Sequence, residues 1–161
     1  ALKEFGVSDL AAHLFLFYFG SLSMITPPVC MATFAAAAIA KTDFWETGWA
    51  GVRLAVVAYI VPFVMVYQPG LVMEGEWWRI IAAVTTASIG VVVLCIGVSG
   101  YIFRRLHNVE RFAFFLAGFL WMVTPARGEL GLLLHAAALG ITLGLFWWVR
   151  RSVTAQAVSA E

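Results

Sequence analysis

The residues best suited to chemistry are Ser23, Met24 and Thr26, which directly precede two prolines, Pro27 and Pro28. They lie inside residues 10–40, a run that contains no charged side chain. Proline has no backbone N–H, so in helical register the carbonyls of Ser23 and Met24 lose their hydrogen-bond partners. Together with the Thr26 hydroxyl, these oxygens are of the kind that coordinates Na⁺ where a membrane helix is interrupted.

The prolines also predict two half-helices instead of one long span. A continuous helix over residues 10–40 would be about 46 Å long, whereas the hydrocarbon core of a bilayer is about 30 Å thick. The second half-helix is predicted to begin with Thr26 as N-cap and Pro27 at the first helical position. The alternative is a simple proline kink that neighbouring helices pack against, with no ion site.

The composition predicts an all-α polytopic membrane protein. Of its 161 residues, 63% are hydrophobic and only 12% are charged, whereas a soluble domain has about 25% charged residues. The net charge of +1 and the lack of a phosphate-binding basic face give no indication of nucleic-acid binding. Cys30 and Cys95 both lie in apolar runs, and their spacing supports neither a disulfide nor a metal site.

No pattern for an enzyme is present, so we expect no catalytic residues and no cofactor. The sequence lacks a Ser/His/Asp set, a His-Glu metal spacing and a phosphate-binding loop. The chain begins with Ala1 and not with Met. We therefore expect it to be the C-terminal part of a longer polypeptide.

The apolar segments predict about five transmembrane helices, the first of them discontinuous at Thr26-Pro27-Pro28. After residues 10–40, they are residues 54–73, 80–103, 112–126 and 130–149. Residues 112–126 are short for a span, although residues 108 and 109 could extend them. Residues 41–49 are predicted to be a loop or an interfacial helix, and residues 152–161 a frayed polar tail. Gly90, Gly97 and Gly100 suit close packing between helices, and His135 is expected to bond a neighbouring helix.

The basic residues predict the orientation in the membrane. With a cytoplasmic C-terminus, seven basic residues face inside and three outside; the inside set is Lys41, Arg53, Arg104, Arg105, Arg111, Arg150 and Arg151, and the outside set is Lys3, Arg79 and Arg127. This bias places residues 1–9 and 74–79 in the periplasm. It places residues 41–53, 104–111 and 152–161 in the cytoplasm.

The run GVSDLAAHLFLFYFGSLSMITPPVCMATFAAAAIA at residues 6–40 resembles the large permease subunit of TRAP transporters, the tripartite ATP-independent periplasmic transporters. The block AAHLFLFYFGSLSMITPPV is most similar to the fused permease branch that works with TAXI-type binding proteins. A segment like WAGVRLAVVAYIVPFVMVYQPG, residues 49–70, follows in that branch. The resemblance is good over residues 1–70, whereas residues 71–151 share only the pattern of extra C-terminal helices.

The resemblance implies the fold of the ion-transporter superfamily, with residues 1–73 at the end of the second-repeat transport domain. Residues 74–151 would be additional transmembrane helices, followed by the polar tail. Sodium would be the coupling ion, with Ser23, Met24 and Thr26 among its ligands. Where many relatives have glycine, this sequence has Ser23 and Cys30.

The resemblance also implies a multi-pass protein of the bacterial inner membrane that imports organic acids such as C4-dicarboxylates. Its partners would be a periplasmic TAXI-type solute-binding protein, the rest of the permease polypeptide, a small membrane subunit that is fused in some relatives, and the lipid bilayer. The chain alone is not expected to transport. Two alternatives are a sodium/carboxylate symporter that needs no binding protein and a non-transporting scaffold subunit.

Overall fold

The computed structural model describes residues 7–124 and 128–158, and side chains within 7–124 and 131–152. Its α-helices are α1 (Asp9–Leu22), α2 (Met31–Ala40), α3 (Phe44–Leu54), α4 (Val56–Tyr67), α5 (Trp77–Ser99), α6 (Asn108–Val123) and α7 (Gly128–Val158), with a 3₁₀ helix at Pro69–Val72. The predicted all-α class is confirmed. The chain forms two compact units, which we call unit 1 (Ala1–Gly75) and unit 2 (Glu76–Glu161).

Side-chain caps set the starts of two helices in unit 1. The Ser8 hydroxyl accepts a hydrogen bond from the Ala11 N–H at 3.2 Å, which satisfies one of the free donors at the start of α1. The Asp43 carboxylate accepts from the Trp45 and Glu46 N–H groups at 2.9 and 3.0 Å. Residues 41–49, predicted as a loop or an interfacial helix, are therefore mostly the first half of α3.

Aromatic rings hold the helices of unit 1 together. Phe63 of α4 packs edge-on against Phe15 and Phe19 of α1, with ring centroids 5.3 and 5.6 Å apart. Phe34 of α2 contacts Phe44 of α3, with centroids 6.0 Å apart. These contacts place α1 against α4 and α2 against α3, and the two pairs meet at the break between α1 and α2.

Glycines let α5 and α6 of unit 2 approach until their backbones touch. A Cβ on Gly97 would lie 2.6 Å from the Phe115 nitrogen, and one on Gly118 would lie 2.5 Å from the Leu94 nitrogen. A Cβ on Gly90 would lie 3.0 Å from the Gly118 carbonyl oxygen. The prediction that Gly90 and Gly97 serve close helix packing is confirmed. Gly118 of α6, which was not predicted, serves the same packing from the other helix.

Helix α7 packs against α6 through Trp121. The Trp121 Nε1–H donates to the Thr142 hydroxyl at 3.3 Å, and its ring lies edge-on to His135 with centroids 5.3 Å apart. His135 forms its hydrogen bond, at 2.8 Å, with the Gly131 carbonyl of its own helix. The expectation that His135 bonds a neighbouring helix is therefore wrong, because the imidazole meets α6 through its ring alone.

Two helices within the described residues are long and apolar enough to cross a membrane, at Trp77–Ser99 and Gly131–Ser152. The pair α3 and α4, bent by 44°, could form a third span. The other apolar helices, α1, α2 and α6, have 14, 10 and 16 residues. At about 1.5 Å per residue, α1 and α2 each reach only part of the way across, as expected for a discontinuous helix.

The end of the chain differs from its prediction. Residues 152–161 were expected to be a frayed polar tail, whereas α7 continues to Val158. Ser152, whose hydroxyl donates to the Val149 carbonyl at 2.7 Å and accepts from Arg104, is tied into the unit at the start of this segment. Residues 159–161 lie outside the described residues.

Candidate functional site

The helix break is located where the prolines predict it. Helix α1 ends at Leu22 and α2 begins at Met31, with turns between them. The predicted N-cap role of Thr26 is wrong, because the N-cap position of α2 is occupied by Cys30. The Thr26 carbonyl instead accepts from the Cys30 N–H at 3.1 Å, which closes one turn around the two prolines.

The carbonyls of Ser23 and Met24 find partners other than the helical ones that the prolines remove. The Ser23 carbonyl accepts from the Thr26 N–H at 3.3 Å, and the Met24 carbonyl accepts from the Ala32 N–H at 3.0 Å. The prediction that these carbonyls lack helical partners holds, but the inference that they are free does not. The second bond joins the carbonyl end of α1 to the amide end of α2, so the two half-helices meet at this point.

The Thr26 hydroxyl is the central polar group of the break. Its Oγ1 lies 2.6 Å from the Leu22 carbonyl oxygen and 2.5 Å from the Tyr59 hydroxyl of α4. A carbonyl can only accept, so Thr26 uses its single proton toward Leu22 and the Tyr59 hydroxyl donates to Thr26. One acceptor position of the Thr26 oxygen stays open in this arrangement.

Helix α3 covers the break with glycines. A Cβ on Gly48 would lie 2.9 Å from the Pro27 Cγ, and one on Gly51 would lie 3.7 Å from the Thr33 Oγ1. Thr33, which is buried, donates its hydroxyl proton to the Ile25 carbonyl at 3.4 Å. The backbone of the break is therefore enclosed on the α3 side, and it approaches α3 too closely for a larger residue than glycine at position 48.

Tyr59 and Thr33 are functional-site residues that were not predicted from the sequence. The signal for Tyr59 is its hydroxyl within the apolar helix Val56–Tyr67, since a tyrosine O–H at membrane depth needs a partner. Thr33 stands alone in the same way in the alanine-rich helix Met31–Ala40. Single polar groups in apolar helices indicate that a polar feature lies opposite, but they do not say which residue it is.

The break combines neutral oxygens and no carboxylate. Two hydroxyls, of Thr26 and Tyr59, lie beside the carbonyls of residues 22–26. A carbonyl oxygen has two lone pairs, so one that already accepts a hydrogen bond still has a position for a cation. No group of three or more His, Cys, Asp and Glu side chains that could hold a metal occurs within the described residues. The donor set is unsuited to Zn²⁺ and chemically suited to a hard monovalent cation.

Apolar helices and a polar break between two half-helices are the features of a membrane transport protein. The family model of the DctM component of the tripartite ATP-independent periplasmic transporter matches residues 1–76. The match covers unit 1 and one further residue, so this part of the chain is similar to the DctM component of these transporter permeases. No curated relative and no solved structure matches the chain.

Proposed function

We propose that unit 1 is part of the sodium-coupled transport domain of a TRAP permease in the bacterial inner membrane. Support comes from the family match over residues 1–76 and from the position of the Thr26 hydroxyl in a break between two half-helices. Discontinuous helices of this kind coordinate Na⁺ through unwound carbonyls. The proposed ligands from this chain are the Thr26 hydroxyl and the carbonyls of Ser23 and Met24.

The Thr26 hydroxyl, which lies in the break with hydrogen bonds to Leu22 and Tyr59, is the single observation that carries this proposal. It joins the break to α4, so a change at the break is transmitted to a second helix of unit 1. Because Thr26 donates its proton to the Leu22 carbonyl and accepts from Tyr59, its oxygen presents its remaining lone pair and no proton. That is the state in which a hydroxyl oxygen ligates a cation. Further ligands come from other parts of the permease.

The family match also supports a proposal for the substrate and the partners. We propose that the permease imports organic acids such as C4-dicarboxylates, delivered by a periplasmic solute-binding protein of the TAXI type. A small membrane subunit, separate or fused, completes the system. Residues 74–151 add transmembrane helices that lie outside the family match. Sodium moving down its gradient drives the import.

Uptake by the reconstituted permease tests this function. The complete permease that contains this sequence is placed in liposomes, and uptake of radiolabelled C4-dicarboxylates and other organic acids is measured. We expect uptake only with an inward sodium gradient and the cognate binding protein. The control replaces sodium by potassium at equal ionic strength.

The outcome separates the three candidate functions. Uptake that requires sodium and proceeds equally well without any binding protein would favour the symporter. An absence of uptake under every condition, for a permease that binds its binding protein, would favour a scaffold subunit. Either result would overturn the TRAP assignment of the function.

A further inference from the structure

The arginines of unit 2 are gathered at one end of its helices. Five of its seven arginines lie there, and they are Arg104, Arg105, Arg111, Arg150 and Arg151. Helix α5 ends at Ser99, α6 begins at Asn108 and the apolar part of α7 ends at Ser152. Two of these helices are candidate spans, and at the end of a span the hydrocarbon core meets the headgroups.

A direct contact shows that α7 reaches the connection between α5 and α6. The Arg104 Nε–H donates to the Ser152 hydroxyl at 2.9 Å, and the rings of Phe103 and Phe146 lie 5.5 Å apart. The arginines of the connection and those of α7 therefore belong to one surface. We call it the arginine end.

Two of these arginines bond to other groups of the protein. Arg104 makes a two-point ion pair with the Glu110 carboxylate, with N–O distances of 2.9 and 2.5 Å. Arg111 donates to the Gly97 and Val98 carbonyls at 3.3 and 2.9 Å. Arg111 thereby caps the last turn of α5 and places its charge at the negative end of the helix dipole. Glu110 neutralises the charge of Arg104.

The side chains of Arg105 and Arg151 are exposed. Each is the chain neighbour of one member of the Arg104–Ser152 hydrogen bond, so their backbones are held on either side of it. The Arg151 guanidinium packs over the Trp147 ring at 5.1 Å. Trp147 and Trp148 are about 60% exposed, as expected for side chains at the boundary between headgroups and acyl chains.

We propose that the arginine end binds the headgroup phosphate of an anionic phospholipid, with Arg105 and Arg151 as its contacts. A guanidinium donates two parallel N–H bonds to phosphate oxygens. The tryptophans beside Arg151 lie where the glycerol and the first methylenes of the same lipid would be. Basic pockets between membrane helices on the cytoplasmic side bind anionic headgroups in this way. The fixed Arg104–Glu110 pair presets the position of Arg105.

Lipid binding to the purified protein in detergent tests the proposal. Dioleoyl phosphatidylglycerol and dioleoyl phosphatidylcholine are titrated separately, and the bound fraction is measured by native mass spectrometry. We expect at least tenfold tighter binding of phosphatidylglycerol. Each arginine near an anionic headgroup contributes about fivefold, which corresponds to about 1 kcal/mol. Arg105→Gln combined with Arg151→Gln should therefore weaken phosphatidylglycerol binding about 25-fold. Phosphatidylcholine binding should weaken much less, because its choline cation offsets the charge of its phosphate.

The matched control removes two positive charges elsewhere. Arg53→Gln combined with Arg79→Gln changes the net charge equally, and we expect less than a threefold effect. Equal affinity of the unmodified protein for both lipids would overturn the proposal. So would equal losses in the two double variants, because binding would then follow net charge alone. Should the double variant at the arginine end not yield folded protein, Arg105→Gln alone applies, with about a fivefold loss expected.

Discussion

At the residue scale, the Thr26 hydroxyl takes part in two hydrogen bonds, and its single proton allows only one assignment of donor and acceptor. It donates to the Leu22 carbonyl and accepts from the Tyr59 hydroxyl. Loss of the hydroxyl would remove both bonds and a proposed sodium ligand together. Tyr59→Phe removes one of those bonds but keeps the ligand, and Thr26→Ser keeps all three functions. These variants therefore separate ion binding from local structure.

Glu110 contributes to the pH dependence of the stability of unit 2. Hydrogen bonds from the Arg104 guanidinium, which outweigh the opposing effect of burial, lower the pKa of Glu110 below its ordinary value. The folded protein therefore binds fewer protons than the unfolded chain near pH 4. This contribution to stability is complete at neutral pH and is lost as the pH falls through the lowered pKa.

We expect Glu110→Gln to lower the free energy of unfolding by about 1 kcal/mol at pH 7. The gap between the variant and the unmodified protein should narrow below about pH 4. Thermal unfolding of both proteins in detergent from pH 3.5 to 7 measures this difference in stability. Glu76→Gln is the control, since the Glu76–Arg79 pair, with an N–O distance of 3.1 Å, is exposed. A gap that stays constant with pH would show that the Glu110 charge is not responsible.

At the element scale, the hairpin of α5 and α6 depends on the absence of side chains at its glycines. Gly118→Ala places a methyl group 2.5 Å from the Leu94 nitrogen, and only a backbone shift relieves it. Overpacking of this kind costs about 1–3 kcal/mol. We expect a clearly lower unfolding temperature for this variant, measured by thermal unfolding in detergent.

Gly140→Ala is the matched control for the hairpin. Gly140 also lies within a helix, α7, and a Cβ there meets no atom of the described structure within 4 Å. Alanine is about 1 kcal/mol better than glycine in a helix, so this variant should be unchanged or slightly more stable. Equal destabilisation by the two changes would contradict the close approach of α5 and α6.

Gly48 makes the corresponding prediction for the break. Gly48→Ala places a methyl group 2.9 Å from the Pro27 Cγ, which belongs to a rigid ring. We expect a net loss of stability of about 1 kcal/mol, since overpacking exceeds the gain in helix propensity. Gly51→Ala, whose Cβ has ordinary contacts from 3.7 Å outward, should retain full stability. If both variants melt like the unmodified protein, α3 does not pack against Pro27.

At the scale of the whole molecule, the chemistry of proline and glycine was readable from the sequence. Pro27 and Pro28 lack N–H groups, so they located the break, and Gly90 and Gly97 indicated close packing. Contacts between residues of different helices could not be predicted from the sequence. Nothing in the chain order links Thr26 to Tyr59, 33 residues away, or Gly97 to the α6 backbone. Thr26 was wrongly predicted as an N-cap because its hydroxyl instead bonds Leu22 of α1 and Tyr59 of α4. The bond to Tyr59 is a tertiary contact.

The number of spans was the least predictable feature at this scale. Apolar stretches indicated about five helices, whereas within the part of the chain that the structure describes, length and composition support two spans, or three with the bent pair α3 and α4. Periodicity does not distinguish a half-helix from a short span. The orientation derived from the basic residues stays a prediction. Labelling of a single cysteine at Thr42 from the cytoplasmic side in a cysteine-free background would confirm it, and labelling from the periplasm would reverse it.

The sodium dependence of thermal stability is a direct test of sodium binding at the break, because it needs no knowledge of the substrate. The complete permease is melted in sodium chloride and in potassium chloride at equal ionic strength, as the unmodified protein and as Thr26→Ala, Thr26→Ser and Tyr59→Phe. A specific ion at 100 times its dissociation constant stabilises the folded state by about 2.7 kcal/mol. We predict a higher unfolding temperature in sodium for the unmodified protein, Thr26→Ser and Tyr59→Phe, and a strongly reduced difference for Thr26→Ala. An equal sodium effect in Thr26→Ala and the unmodified protein, or none in either, would contradict sodium binding by Thr26.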